Sequence, residues 1–401
     1  AKRFEGPETV DAVVAKDEEW RAITLEYEGK LQQAGVVQKE PRRPFNLDVQ
    51  ITKRKKAKED AADLITSLKE LKAAVPALKA RRAEIEAERA VLLRCVGNMV
   101  HESVVVSKDE ALNEVVSEWG VKGRPAGMPA DAEPERGAAV AGHRGYFLRG
   151  PGVMLNMALQ AYGAAFLRAR GYDPVQPPFF MKKDVMGGVA QLDDFDEQLY
   201  KFLIATSEQP ICAMHQGEHF APADLPIKYA GISTCFRKEA GKHGKDVWGI
   251  FRVHQFDKVE QFVICEPDKS WEEHERMRQT AEEFYQSLGI PYNVVNIVSG
   301  ELNSAAAKKY DLEGWFPGYG EHKELVSASN CTDYQSRAME IRLGHAKDAQ
   351  GNKTYVHMLN ATLCACTRTI CALLENGQTP EGINIPEPLV PFCGGVTFLP
   401  F

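Results

Sequence analysis

Hydrophobic positions near the N-terminus recur at alternating intervals of three and four. Val10, Val13, Asp17, Trp20, Thr24, Tyr27, Leu31 and Ala34 mark one seam, with the polar Asp17 and Thr24 as its weak points. Leu64, Leu68, Leu71, Val75, Leu78, Arg82, Ile85, Arg89, Leu92, Val96 and Met99 continue the same alternation over about five heptads. This spacing predicts two long helices of coiled-coil character. A polar stretch between them predicts that they fold back as an antiparallel hairpin. Arg82 and Arg89 interrupt the second seam, and Pro76 predicts a kink.

The pattern changes after residue 105. From Lys122 to Gly150 the chain is rich in Gly, Pro and Ala, which predicts a linker. A helix is expected from Pro151 to about Arg170, with Pro in its first turn and Gly171 as its stop. Beyond it, β-like runs at Gly231 to Glu239, Ile250 to Cys265, Asn293 to Val298, Leu325 to Ala328 and Thr354 to Leu359 mix with helical stretches at Trp271 to Leu288 and Thr362 to Glu375. No regular alternation of strand and helix is present, so a mainly antiparallel sheet flanked by helices is expected, an α+β class. The domains expected are 1–105 as a helical arm, 106–150 as a linker and 151–401 as an α+β body.

A chain of 401 residues with 44% hydrophobic and 26% charged residues has the make-up of a soluble globular protein. Its net charge of -7 argues against nucleic acid as a partner only if charge is evenly spread. It is not. Between Gln38 and Lys58, eight basic residues (Lys39, Arg42, Arg43, Lys53, Arg54, Lys55, Lys56, Lys58) face two acidic ones (Glu40, Asp48). This run lies between the two helical seams, where a concentrated positive tip attracts a polyanion by counterion release. A solvated linker is the bland alternative. The nine cysteines include no CxxC, which favours a reducing compartment over a disulfide framework or zinc ribbon. The most apolar long stretch, Val153 to Leu167, is shorter than a bilayer demands, and a cytoplasmic protein without membrane spans is expected.

Familiar nucleotide signatures are missing: Gly241 Lys242 His243 Gly244 Lys245 is no P-loop, and no GxGxxG follows a strand. A long hairpin is expected instead, running up through Phe236 Arg237 Lys238 Glu239 and back through Phe251 to Cys265. Alternation puts Arg252, His254, Phe256, Lys258 and Glu260 on one face of the return strand, and Arg237 and Glu239 on one face of its partner. Cation, aromatic and carboxylate then span the dimensions of a nucleotide with a small molecule attached. A solvated strand face is the alternative, against which the exposed Phe256 and the Gly-rich basic loop both speak. Asn360 to Leu374 reads as a helix apolar nearly all round with one cation, Arg368, which needs either an internal ion pair or a bound anion.

These stretches resemble the class II aminoacyl-tRNA synthetases. Phe236 to Glu239 with Phe251 to Phe262 looks like motif 2, Asn360 to Leu374 like motif 3, and Gly171 to Pro178 like motif 1. Thr206 Ser207 Glu208, Val259 to Phe262, Lys323 to Ser327 and Met358 to Thr362 are similar to the seryl-tRNA synthetases of the eukaryotic cytosolic type. The helical arm fits as well, so the resemblance covers nearly the whole chain. Against the family pattern, the stretches Gly120 to Glu133 and Tyr200 to Ile204 are short and the N-terminus looks trimmed.

The resemblance implies a class II catalytic domain, ATP as substrate, magnesium as cofactor and a homodimer built through motif 1. It implies that L-serine becomes seryl-adenylate and passes to tRNA(Ser), and it leaves open whether the selenocysteine tRNA, tRNA(Sec), is charged too. Arg237 and Arg368 are the implied catalytic cations. Serine would be held by Thr206, Glu208, Arg237, Glu260, Asn360 and Thr362. ATP would meet Arg237, Lys238, Glu239, the run Arg252, Val253, His254, Gln255 and Phe256, the run Glu324, Leu325, Val326 and Ser327, and Arg368. Glu324 and Ser327 would hold the metal. The basic residues Lys39, Arg42, Arg43, Lys53, Arg54, Lys55, Lys56 and Lys58, with Lys242 and Lys245, would touch tRNA. A class II enzyme of other specificity and a non-catalytic RNA-binding relative are the competing readings. His215 to His219 spells HxxEH, but Gly217 and Pro222 disfavour the helix that two zinc ligands require. Cys364, Cys366 and Cys371 are expected as small core residues.

Overall fold

The computed structural model describes residues 2–4, 6–33, 47–122, 132–189, 203–239, 249–347 and 353–401. The chain divides into two compact units, one ending at Val96 and the other comprising Lys2–Phe4 with Gly97–Phe401.

In the first unit, helix α1 (Glu8–Gln33) packs against α3 (Ala62–Arg94), with the short basic helix α2 (Leu47–Lys56) between them in sequence. The pairing is antiparallel: Asp17 meets Arg89 at 2.6 Å, Lys16 meets Glu88 at 2.9 Å, and Tyr27 lies under Arg82. The seam positions of α3 from Leu64 to Leu92, and Val96 just after it, are covered, whereas Met99 lies exposed beyond the helix. The two arginines that break the apolar pattern belong to the interface. Arg89 stacks over Trp20 at 4.3 Å and Arg82 over Tyr27 at 5.0 Å, so flat cations on aromatic faces replace aliphatic packing. Helix α3 runs on through Pro76.

The second unit is built on an eight-stranded sheet. Its strands are β1 (Glu114–Trp119), β2 (Asp173–Val175), β3 (Ile227–Phe236), β4 (Gln255–Cys265), β5 (Tyr292–Asn296), β6 (Lys308–Phe316), β7 (Glu321–Asn330) and β8 (His357–Ala365). They lie in the order β1-β5-β6-β7-β8-β4-β3-β2, antiparallel except for the β2–β3 pair. Helices α4 (Pro151–Arg168), α6 (Ser270–Ser287) and α7 (Cys366–Gly377) share the main hydrophobic core with this sheet. Strand alternation sorts the residues. Val259 and Val263 of β4 and Leu359, Ala361 and Leu363 of β8 face those helices. The intervening positions face the other way and change character along each strand. Phe262 and Ile264 of β4 join Met358 of β8 in a second apolar cluster, while Lys258, Glu260, Asn360 and Thr362 line a polar recess.

Three expectations change. The stretch 106–150 is no simple linker, because Glu114–Trp119 pairs with β5 as an edge strand; its six residues, five of them exposed and three of them Glu or Ser, carry no apolar run to mark it. Asn360–Ala365 is strand, and the helix begins only at Cys366. A central strand buried on both faces has the same unbroken apolar run as a buried helix, so periodicity alone does not separate them. The return strand of the long hairpin starts at Gln255, leaving residues 250–254 irregular.

Candidate active site

The recess lies on the polar part of the sheet and is walled by β4, β6, β7 and β8, the segments that follow β3 and precede β4, the turn leading into α5 (Glu208–Met214), and the first turn of α7. Gly231 of β3 makes its inner end possible. A Cβ there would come within 2.4 Å of Ser207 Oγ and 2.8 Å of Ile211 Cδ1. Without one, the 206–208 turn settles beside Glu260, which is Gly231's partner across the strands.

Glu260 is 1% exposed and forms the floor. The Lys258 ammonium pairs with its Oε2, and the hydroxyls of Thr206 and Thr362 donate to its two oxygens at 3.5 Å each. Beside it, desolvation and then the Glu260 charge push the Glu208 carboxyl up to about 7. Asn360 completes this end of the lining.

The outer end is cationic. Arg237 lies 5.3 Å over the Phe256 ring, Arg252 pairs with Glu239 at 2.8 Å, and Arg368 approaches Glu324 at 3.3 Å while stacking over Phe251. Glu239 adopts φ +51°, a conformation that costs a non-glycine residue energy and aims its carboxylate at Arg252. Desolvation opposes ionisation of Glu324, yet the charges of Arg368, Lys309, Arg237 and Arg252 hold its carboxyl below the ordinary range.

The structure brings together most of the residues expected from sequence: Thr206, Glu208, Arg237, Glu239, Arg252, Val253, Phe256, Glu260, Glu324, Leu325, Ser327, Asn360, Thr362 and Arg368 all line the recess. Lys238, His254, Gln255 and Val326 do not. His254 is tied to the Arg237 backbone at 3.0 Å, Gln255 is exposed opposite Phe236, and Val326 faces the core. Phe251, Lys258, Asn303, Lys309, Ser329 and Thr367 line it without having been singled out. Lys258 lay on the shared face but carried no role; Asn303 sits in a loop that gives no sequence signal. Of the basic candidates, Lys53, Lys55, Lys56 and Lys58 are exposed, while Arg54 is engaged with Asp63 at 3.1 Å. Lys39, Arg42, Arg43, Lys242 and Lys245 lie outside the described residues.

The HxxEH spelling has a structural explanation. His215 Nδ1 meets Glu218 at 2.9 Å and its Nε2 meets the Tyr229 hydroxyl at 3.1 Å. Among the described residues no group of three or more His, Cys, Asp or Glu side chains is placed to hold a metal, and no helix is long and apolar enough to cross a membrane. Cys364 and Cys366 are fully buried and Cys371 half-buried against the main core.

Comparison with known families gives two matches: residues 1–100 to the seryl-tRNA synthetase N-terminal domain, and residues 191–377 to the tRNA synthetase class II core domain of the G, H, P, S and T group. A cytoplasmic serine–tRNA ligase of Dictyostelium discoideum is 53% identical over 372 residues, covering 88% of this chain and 82% of its own. The chain belongs to the seryl-tRNA synthetase family. Solved family members superpose over all of it. A cytoplasmic serine–tRNA ligase of Naegleria fowleri in complex with AMP has a TM-score of 0.84 at 44% identity, with 94% of that chain covered. The seryl-tRNA synthetase of Pyrococcus horikoshii complexed with ATP has a TM-score of 0.88 at 36% identity, with 96% covered. Its synthetase core is thus the antiparallel sheet, and the N-terminal match coincides with the helical pair.

Proposed function

We infer that this seryl-tRNA synthetase activates L-serine with ATP to seryl-adenylate and transfers the serine to the 3′ end of tRNA(Ser). The observation that carries this reading is the polarity of one recess: a carboxylate floor ringed by hydroxyls at one end, three guanidinium groups and an aromatic ring at the other. That sequence of groups matches an ammonium and hydroxyl joined through a carboxylate to a nucleotide triphosphate.

Of the three outer guanidinium groups, Arg237 is the one that lies over Phe256 and also reaches the Ala205 carbonyl and the Glu208 charge at the floor; the serine carboxylate attacks the α-phosphorus beside it, and it stabilises the negative charge that accumulates there. The nucleophile is already an anion, so no general base is required; the chain aligns the reactants and excludes competing geometries. Phe256 offers a face to adenine and Glu239 an acceptor for its amino group. Arg252 and Arg368 grip the outer phosphates. Glu260, Thr206, Thr362 and Asn360 take the ammonium and hydroxyl of serine. Alanine would leave those buried groups unpaired, at a cost of about 1–3 kcal/mol per group.

Glu324 and Ser327 offer a carboxylate and a hydroxyl oxygen, a donor set suited to magnesium. The fit is supported by the ionised state of Glu324 and by Asp311, paired with Ser327 across the strands, which keeps a buried carboxylate oxygen without a protein partner. Glu324 and Ser327 would hold magnesium, which would supply neutralisation of phosphate charge there.

The exposed lysines of α2 and the segment after it are the tRNA contacts of this reading, with the antiparallel helices as a coiled-coil arm. A homodimer through motif 1 is supported by apolar surface on and beyond α4, where Met157 is 64% and Phe180 68% exposed. The location is cytoplasmic, as the names of its relatives state. Transfer of labelled serine to the 3′ end of tRNA(Ser), dependent on ATP, tests the reading. Absence of serine from the tRNA in the presence of demonstrable adenylate would leave only half of it standing.

A further inference from the structure

The recess floor contains a charge problem. Lys258 is 5% and Glu260 1% exposed, and they are paired with each other. Buried charges persist only when matched. A substrate ammonium arriving at Glu260 therefore meets a carboxylate already neutralised, with a second cation alongside it. Two cations would share one carboxylate.

The groups facing Glu208 show where the missing negative charge can come from. They are Glu260 and Lys258 on β4, Arg237 after β3, Cys212 on its own helix and Cys331 after β7. Burial pushes both thiols well up, so they remain neutral. Arg237 and Lys258 are cations. Among the described residues, Glu208 is the further carboxyl lining this end of the recess, and its raised affinity for a proton lets it be neutral in the empty site and ionise when a cation comes near.

Building on the serine reading of this pocket, we propose that Lys258 and Glu208 act with Glu260 to match charge to the substrate ammonium: Lys258 neutralises Glu260 in the empty recess, and ammonium binding expels a proton from Glu208 to solvent, so that two cations face two carboxylates. Lys258 is a positioning residue, acting through Glu260. The proton balance is one carboxylic acid becoming one carboxylate, with the proton passing to buffer.

Linkage gives the sign. The ligand favours ionised Glu208, so serine binding strengthens as pH rises through the titration of the empty site and levels off above it. For one proton, the KM for serine falls roughly tenfold between pH 6 and pH 8. The test is serine-dependent pyrophosphate exchange by the full chain over that range, with E208Q, K258M and the double variant. E208Q should raise the KM for serine and abolish its pH dependence, while the KM for ATP stays within about twofold. The double variant, with one carboxylate for one incoming cation, should recover serine binding relative to E208Q and remain flat with pH. Persistence of the pH dependence in E208Q, or a double variant that binds serine more weakly than E208Q, overturns the proposal. A wild-type chain that activates serine without any pH dependence of KM overturns it while leaving the function intact. A chain that activates no serine at any pH removes the function and the proposal together.

Discussion

Arg237 is the residue on which most of the site converges. Its guanidinium lies over Phe256, its Nε reaches toward the Ala205 carbonyl at 3.5 Å, and its backbone is tied to His254. It should stabilise the transition state more than the bound substrates. Arg237→Ala should therefore lower kcat for pyrophosphate exchange by a factor of roughly 100 to 1,000, and Arg237→Lys should recover little, because a point charge does not reproduce a planar fork. A loss confined to KM would contradict that role. Gly231 acts purely through space: Gly231→Ala must displace Ser207 and with it Thr206 and Glu208. Its expected signature is a raised KM for serine with the KM for ATP nearly unchanged, measured by varying each substrate in turn. Arg237, Glu239, Arg252, Phe256 and Glu260 were legible from strand alternation, which puts alternate residues on a common face, whereas Thr206, Glu208, Glu324, Ser327, Asn360 and Thr362 were reached only through the family resemblance. Lys309 and Asn303 were reached by neither, since β6 and the loop before it reach the recess only through sheet order, which no local pattern specifies.

Among the elements, the helical pair was the most legible and the strand β8 the least. Heptad spacing identifies the covered side of α3 directly, down to Ile85, which is 1% exposed. Ile85→Ala should destabilise the first unit by about 3 kcal/mol, lowering an N-terminal thermal transition while pyrophosphate exchange persists. Strand β8 lacked any such mark, because its two faces meet different apolar surroundings and only Asn360 and Thr362 hint at a polar recess. Helix α6 adds a pH dependence of its own. His274 is buried with Nε2 donating to the Ala328 carbonyl at 3.0 Å, and burial lowers its pKa to about 4. A histidine kept neutral by folding contributes stability fully above its ordinary value of about 6.5 and loses it as pH falls toward 4, by roughly 3 kcal/mol in all. His274→Gln should remove this part of the acid sensitivity, read as a smaller drop in unfolding free energy between pH 7.5 and 4.5. An unchanged drop would place the sensitivity elsewhere.

At the scale of the whole molecule, a net charge of -7 conceals a local basic excess between the two seams. Helix α2 and Lys58 carry four exposed lysines, whereas Arg54 spends its charge on Asp63. Changing Lys53, Lys55, Lys56 and Lys58 to Ala should weaken tRNA charging, flatten its salt dependence and spare adenylate formation. Equal loss of both activities would contradict this division of labour. Global charge thus describes solubility, while the local excess is where the proposed function places tRNA. The central claim is that one recess reads serine and ATP together, and magnesium-supported exchange of labelled pyrophosphate into ATP, compared across serine, threonine, alanine and glycine, tests it most directly. Exchange should depend on serine and fall at least tenfold with each of the others; no exchange with serine, or equal exchange with another of these amino acids, would contradict it.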